Sequence, residues 1–108
     1  MLVVHTSIPV DPERRETVMD LVSTLVEESR EEDGVVRYRA MQDLTEPNVI
    51  RFFEQYEDAA AAEEHTTSPA YREFVEALPE LTTGDVETIQ FETAGGGVTE
   101  FDPADAVE

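Results

Sequence analysis

The stretch from Val49 to Tyr56 constrains this chain more than any other. Ile50, Phe52, Glu54 and Tyr56 share one face of an extended segment, and Val49, Arg51, Phe53 and Gln55 share the other. Successive side chains of a strand point to opposite faces, so both faces here carry large apolar groups. A solvated face does not need them, so each side of this strand needs cover. A chain of 108 residues forms one domain and has no room for a second core. Its own helices can cover one sheet face. The other needs a second copy, packed sheet on sheet about a two-fold axis.

The remaining segments supply that sheet and those helices. Residues 2–9 (LVVHTSIP) are rich in β-branched side chains and read as the first strand. Asp11-Pro12 is a cap followed by a first-turn proline, and Val18, Leu21, Val22, Leu25 and Val26 recur at helical spacing. This predicts a helix from about 12 to 32, ending before Gly34. Residues 35–42 and 48–56 read as two strands joined by a short polar loop. Asp58 and Ser68-Pro69 cap two pieces of a broken helical connection, 58–66 and 69–80, and 86–93 alternates as a fourth strand. The order β-α-β-β-α-β is that of the split-βαβ, ferredoxin-like α+β fold with an antiparallel sheet. Residues 1–93 make the domain, and 94–108 make an acidic tail, flexible apart from Val98 and Phe101.

Charge and cysteine content exclude several function classes. The net charge is −19, with seven Arg, no Lys and no Cys. An acidic surface repels phosphate backbones, which argues against nucleic acid and anionic membranes as partners. Without Cys there are no disulfides, thiolate nucleophiles or zinc-finger sites. No apolar run approaches the ~20 residues that span a bilayer, and Met1-Leu2-Val3-Val4-His5 does not read as a signal peptide, so a cytoplasmic domain is expected. Abundant acids without Lys resemble proteins of halophilic organisms, in which molar salt screens self-repulsion to about 3 Å.

Few residues can carry chemistry. Gly95-Gly96-Gly97 precedes no helix and is no phosphate loop, and no metal-ligand spacing stands out, so no metal is assigned to His5 or His65. His65 falls where the helical connection breaks, a place that opens space near the sheet. An imidazole there could move a proton near neutral pH, or could simply bond a carboxylate or cap a turn. Glu54 shares a face with Ile50, Phe52 and Tyr56, so it is paired or has a shifted pKa, with His65 or Arg72 as candidate partners. Tyr38, Phe52, Phe53, Tyr71 and Phe74 can line a pocket for a planar ligand or serve as core.

Two motifs carry a family resemblance. Phe52-Phe53-Glu54-Gln55-Tyr56-Glu57-Asp58-Ala59, followed by Ala62-x-x-His65-x-x-Ser68-Pro69-x-Tyr71-x-x-Phe74, resembles the antibiotic biosynthesis monooxygenase (ABM) domain, as does Glu32-Asp33-Gly34-Val35-Val36-Arg37-Tyr38. The likeness spans roughly residues 1–93 and is strongest to the small quinol-monooxygenase-like branch. It implies a dimeric α/β barrel of ferredoxin-like protomers with a pocket between sheet and helices. It further implies oxidation of a small quinol-like or polyketide-like aromatic by O2 with no cofactor, His65 and Glu54 being catalytic and Tyr38, Phe52, Tyr71 and Phe74 binding substrate. Haem-degrading relatives carry Trp near the position of His65 and an axial His near Val75, so the resemblance implies no haem here. The alternative is a non-catalytic small-ligand-binding or dimerisation module on the same fold.

Overall fold

The computed structural model describes residues 1–106. Strands β1 (Leu2–Pro9), β2 (Val35–Gln42), β3 (Val49–Tyr56) and β4 (Glu87–Glu92) form one antiparallel sheet in the order β2-β3-β1-β4. The long helix α1 (Arg15–Arg30) connects β1 to β2, and α2 (Ala59–Thr66) with α3 (Pro69–Ala77) connects β3 to β4. This is the ferredoxin-like arrangement that the element order predicts. All helices lie on the sheet face that carries Ile8, Tyr38, Ile50 and Phe52, and Val18, Val22 and Leu25 of α1 and Phe74 of α3 pack onto it.

Helix boundaries follow from local chemistry. Asp11 accepts a hydrogen bond from the Glu13 amide, but Pro12–Arg14 closes as a 3-10 turn, so α1 starts at Arg15 instead of 12. Its far end is Arg30, earlier than expected, because Glu31 to Gly34 form the turn into β2 and Gly34 takes φ +86°. The break between α2 and α3 is built by Ser68, whose hydroxyl accepts from the Tyr71 amide and donates to the His65 carbonyl. Pro79 then converts the end of the expected 69–80 helix to a 3-10 turn, Leu78–Glu80, since it lacks an amide hydrogen for an α-helical bond.

The α1–β2 turn sets both the seat of α2 and the facing of β2. Gly34 lies against α2: a Cβ built on it would stand 2.6 Å from the Ala61 Cβ, and its carbonyl accepts from the Glu57 amide at 2.8 Å. Beyond it, Val35 opposes Tyr56 and Arg37 opposes Gln55, leaving Val36 as an extra residue in a β-bulge. The bulge resets the alternation, so that Tyr38 stands opposite Glu54 on the helix-covered face.

Among the described residues, no helix covers the opposite sheet face. Arg39, Phe53, His5 and Ile89 form one row across it, and Arg37, Gln55, Val3 and Phe91 the next. Ile89 is 43% exposed and Phe91 60%, and in the tail Val98 and Phe101 are also exposed. Beyond β4 the chain has a short 3-10 turn at Pro103–Ala106.

Candidate functional site

Between the sheet and the second helical layer lies a cavity of about 270 Å3. Its floor is the inner face of the sheet, and its roof comes from Tyr71, Phe74 and Leu78 on the α3 side, with Ala62 and Thr66 of α2 at one edge. Val86, Thr88 and Gln90 lie at the side nearest the exposed β4. The lining is mainly apolar, and among the described residues Glu54 is its only charged side chain.

Glu54 is 7% exposed. Its Oε2 accepts from the Thr6 hydroxyl at 3.0 Å and its Oε1 from the Tyr56 hydroxyl at 2.5 Å. Thr6 belongs to the adjacent strand β1, and Tyr56 is two residues along β3 on the same face. Both donors therefore follow from sheet register. A carboxylate has about four lone-pair sites, so each oxygen keeps room to accept another hydrogen bond.

All three tyrosines of the chain line this cavity. Burial first, and then the nearby Glu54 charge, hold the Tyr38 and Tyr56 hydroxyls well above the ordinary tyrosine range. The same two causes raise Tyr71. The hydroxyls therefore remain protonated donors.

His65 is fully buried behind the aromatic wall. Its ring lies 5.0 Å from that of Tyr38, 5.1 Å from Tyr71 and 5.7 Å from Tyr56, centroid to centroid. Nδ1 lies 3.1 Å from Glu32 Oε1, an ion pair when the ring is protonated and a hydrogen bond when it is neutral. Nε2 has no partner among the described residues. Glu32, His65, Gly34 and Ala61 together fasten the α1–β2 turn to α2.

Of the residues singled out in the sequence, Glu54, Tyr38, Phe52, Tyr71 and Phe74 line the cavity. The hydrogen-bond partners differ from expectation: Glu54 bonds Thr6 and Tyr56, while His65 bonds Glu32, so the two side chains are not joined directly. His65 does not line the cavity or stand at its rim; it packs behind the rings of Tyr38, Tyr56 and Tyr71. Arg72 makes no ion pair with Glu54. Phe53 lies on the opposite sheet face. No group of three or more His, Cys, Asp or Glu among the described residues is placed to hold a metal ion. Thr6 and Glu32 went unrecognised. Thr6 needs the β1–β3 register, and Glu32 needs the packing of a turn on α2, neither of which local periodicity contains.

A four-stranded antiparallel sheet covered on one face by helices, with a carboxylate-bearing apolar cavity between the layers, defines a ferredoxin-like α+β protein. Within that class, the chain belongs to the antibiotic biosynthesis monooxygenase family, whose model matches residues 1–77. It is 37% identical over 86 residues to the uncharacterised protein sll1783 of Synechocystis, a match spanning 80% of this chain but only 58% of that protein's length. It is 29% identical over 92 residues to Bacillus subtilis YcnE, a provisionally assigned monooxygenase, spanning 85% of this chain and 97% of YcnE. Among solved structures, a provisionally assigned antibiotic biosynthesis monooxygenase from Bacteroides thetaiotaomicron superposes with TM-score 0.80 at 27% identity, over 93% of this chain and 95% of that one.

Proposed function

We propose that the protein is a cofactor-independent monooxygenase of the quinol-monooxygenase-like branch, oxidising a small quinol-like or polyketide-like aromatic with O2. One observation carries this reading: Glu54, a carboxylate with unused lone pairs, stands among aromatic and aliphatic walls in a cavity sized for a small planar ligand. In the reaction one atom of O2 enters the ring, the other leaves as water, and the substrate supplies all four electrons, so that a phenol becomes a quinone. The protein needs only to orient the substrate, exclude water and accept a proton. The environment that keeps Tyr38, Tyr56 and Tyr71 protonated also disfavours a free substrate phenolate. Glu54 therefore takes the hydroxyl proton as the ring gives up its electron, with no phenolate accumulating. His65 is a positioning residue in this scheme, fixing the rings of Tyr38 and Tyr71.

The exposed outer sheet face supports a homodimer built sheet on sheet, and the Lys-free composition supports a cytoplasmic protein adapted to high salt. Oxygen uptake with a panel of reduced naphthoquinols at molar KCl tests the proposal. Wild-type protein should accelerate uptake above autoxidation, and Glu54→Gln should lower the rate by about 100-fold or more. Equal rates in the two proteins would overturn it. Both Glu54 oxygens already accept hydrogen bonds, which favours one second reading, a pocket that binds its ligand without turnover. That reading predicts saturable binding with no uptake above autoxidation.

A further inference from the structure

The cavity sets a charge requirement on whatever enters it. Among the described residues no Arg, Lys or His lines it, and its one acidic side chain is the buried Glu54. An anionic ligand would lose its hydration, find no counter-charge and meet a like charge. Apart from Glu54, the polar groups of the lining are Thr and Tyr hydroxyls and the Gln90 amide, all of them uncharged. Glu54 can accept, and the Tyr71 hydroxyl, which makes no hydrogen bond within the described chain, can donate. These groups come from β3 and from the α3 roof, on opposite sides of the space a planar ring would fill.

We propose that this cavity is a charge filter that selects small uncharged hydroxy-aromatic carbonyl compounds, with the ligand hydroxyl on Glu54 and the carbonyl on Tyr71, and rejects their carboxylate-bearing analogues. The inference rests on the cavity being the ligand site but is independent of turnover. A neutral phenolic ketone or hydroxyquinone offers one donor and one acceptor, which match the two protein groups. Replacing the ketone methyl by an ionised oxygen preserves ring, size and hydroxyl while adding the charge that the site cannot compensate. Glu54 and Tyr71 are then specificity-determining residues, the first by sign of charge and the second by a single hydrogen bond.

The test compares para-hydroxyacetophenone with para-hydroxybenzoate at neutral pH and molar KCl, binding being followed by ligand-observed NMR titration. The ketone should bind at least about tenfold more tightly than the carboxylate. Glu54→Gln, which preserves shape while removing the charge, should narrow that ratio chiefly by improving carboxylate binding. Tyr71→Phe should weaken the ketone by about fivefold, the share of one hydrogen bond. Equal binding of the two probes by wild type, tighter binding of the carboxylate, or no ketone binding would overturn the proposal. Ketone selectivity in a protein that consumes no O2 with any quinol would leave this inference standing and overturn the oxygenase reading alone.

Discussion

Replacing Gly34 by Ala tests how the turn beside the site is held. At φ +86° a non-glycine residue costs about 1–2 kcal/mol. The new methyl would stand 2.6 Å from the Ala61 Cβ, so turn and helix must separate, an overpacking cost of about 1–3 kcal/mol. Reduced freedom of the unfolded chain returns about 0.4–1 kcal/mol. The net loss is about 1–4.5 kcal/mol, a large part of the ~5–15 kcal/mol that holds a typical domain together. At about 4–8 °C per kcal/mol the melting temperature should fall by at least about 4 °C, measured by circular dichroism at molar KCl. Ala61→Gly removes the clash and leaves the φ strain. A double-mutant cycle should therefore show a favourable coupling of about 1–3 kcal/mol between the two sites. A loss below about 1 kcal/mol for Gly34→Ala, or additive effects in the cycle, would refute the reasoning.

Charge and burial set four further outcomes. Alkaline titration followed by tyrosinate absorbance should show no ionisation in the folded protein near pH ~10, where free tyrosine is half ionised. Because the folded values are raised, folding stability is intact below that pH and falls as the pH rises beyond it, so absorbance should appear together with unfolding. Asp43 is held below the usual carboxylate range by Arg51 and then by the Thr45 and Glu46 donors, so the stability it adds is present above about pH 4 and lost as pH falls further; the advantage of wild type over Asp43→Asn in denaturant midpoint should shrink on acidification. With net charge −19, the melting temperature should rise between about 0.1 and 2 M KCl, and an unchanged value would remove the high-salt adaptation. Phe53→Asp, on the outer face, should shift the protein to monomer or precipitate in sedimentation velocity, and an intact dimer would mean that another face associates.

The fold was legible because each element carries its own period and punctuation. The apolar stripe of α1, the Asp58 and Ser68 caps and the alternation of Val49–Tyr56 are local signals, and the structure keeps all of them. Glu54 stood out by the same logic, as a charge at a position whose neighbours two residues away are buried. What stayed hidden depends on packing between distant segments. Plain alternation from Val35 would put Tyr38 on the outer face, and only the bulge at Val36 brings it inward. The Glu32–His65 bond likewise exists because Gly34 lets a turn approach Ala61, a closeness that neither segment encodes alone.

The sheet order also dictates when the protein can become stable as it is made. β1 is synthesised first yet occupies an interior position, with Leu2 paired to Tyr56 on one side and Glu92 on the other. Until β3 emerges it has no partner at all, and until β4 emerges its other edge and the side of the cavity lined by Thr88 and Gln90 stay open. The helices and the β2–β3 hairpin can form from contacts close in sequence, but the pairing of β1 cannot. Long-range pairing of this kind slows folding and leaves apolar strands exposed in the meantime. Incomplete chains therefore spend their most aggregation-prone interval carrying much of the negative charge of the finished protein. The mutual repulsion of so much like charge acts to keep those nascent chains apart.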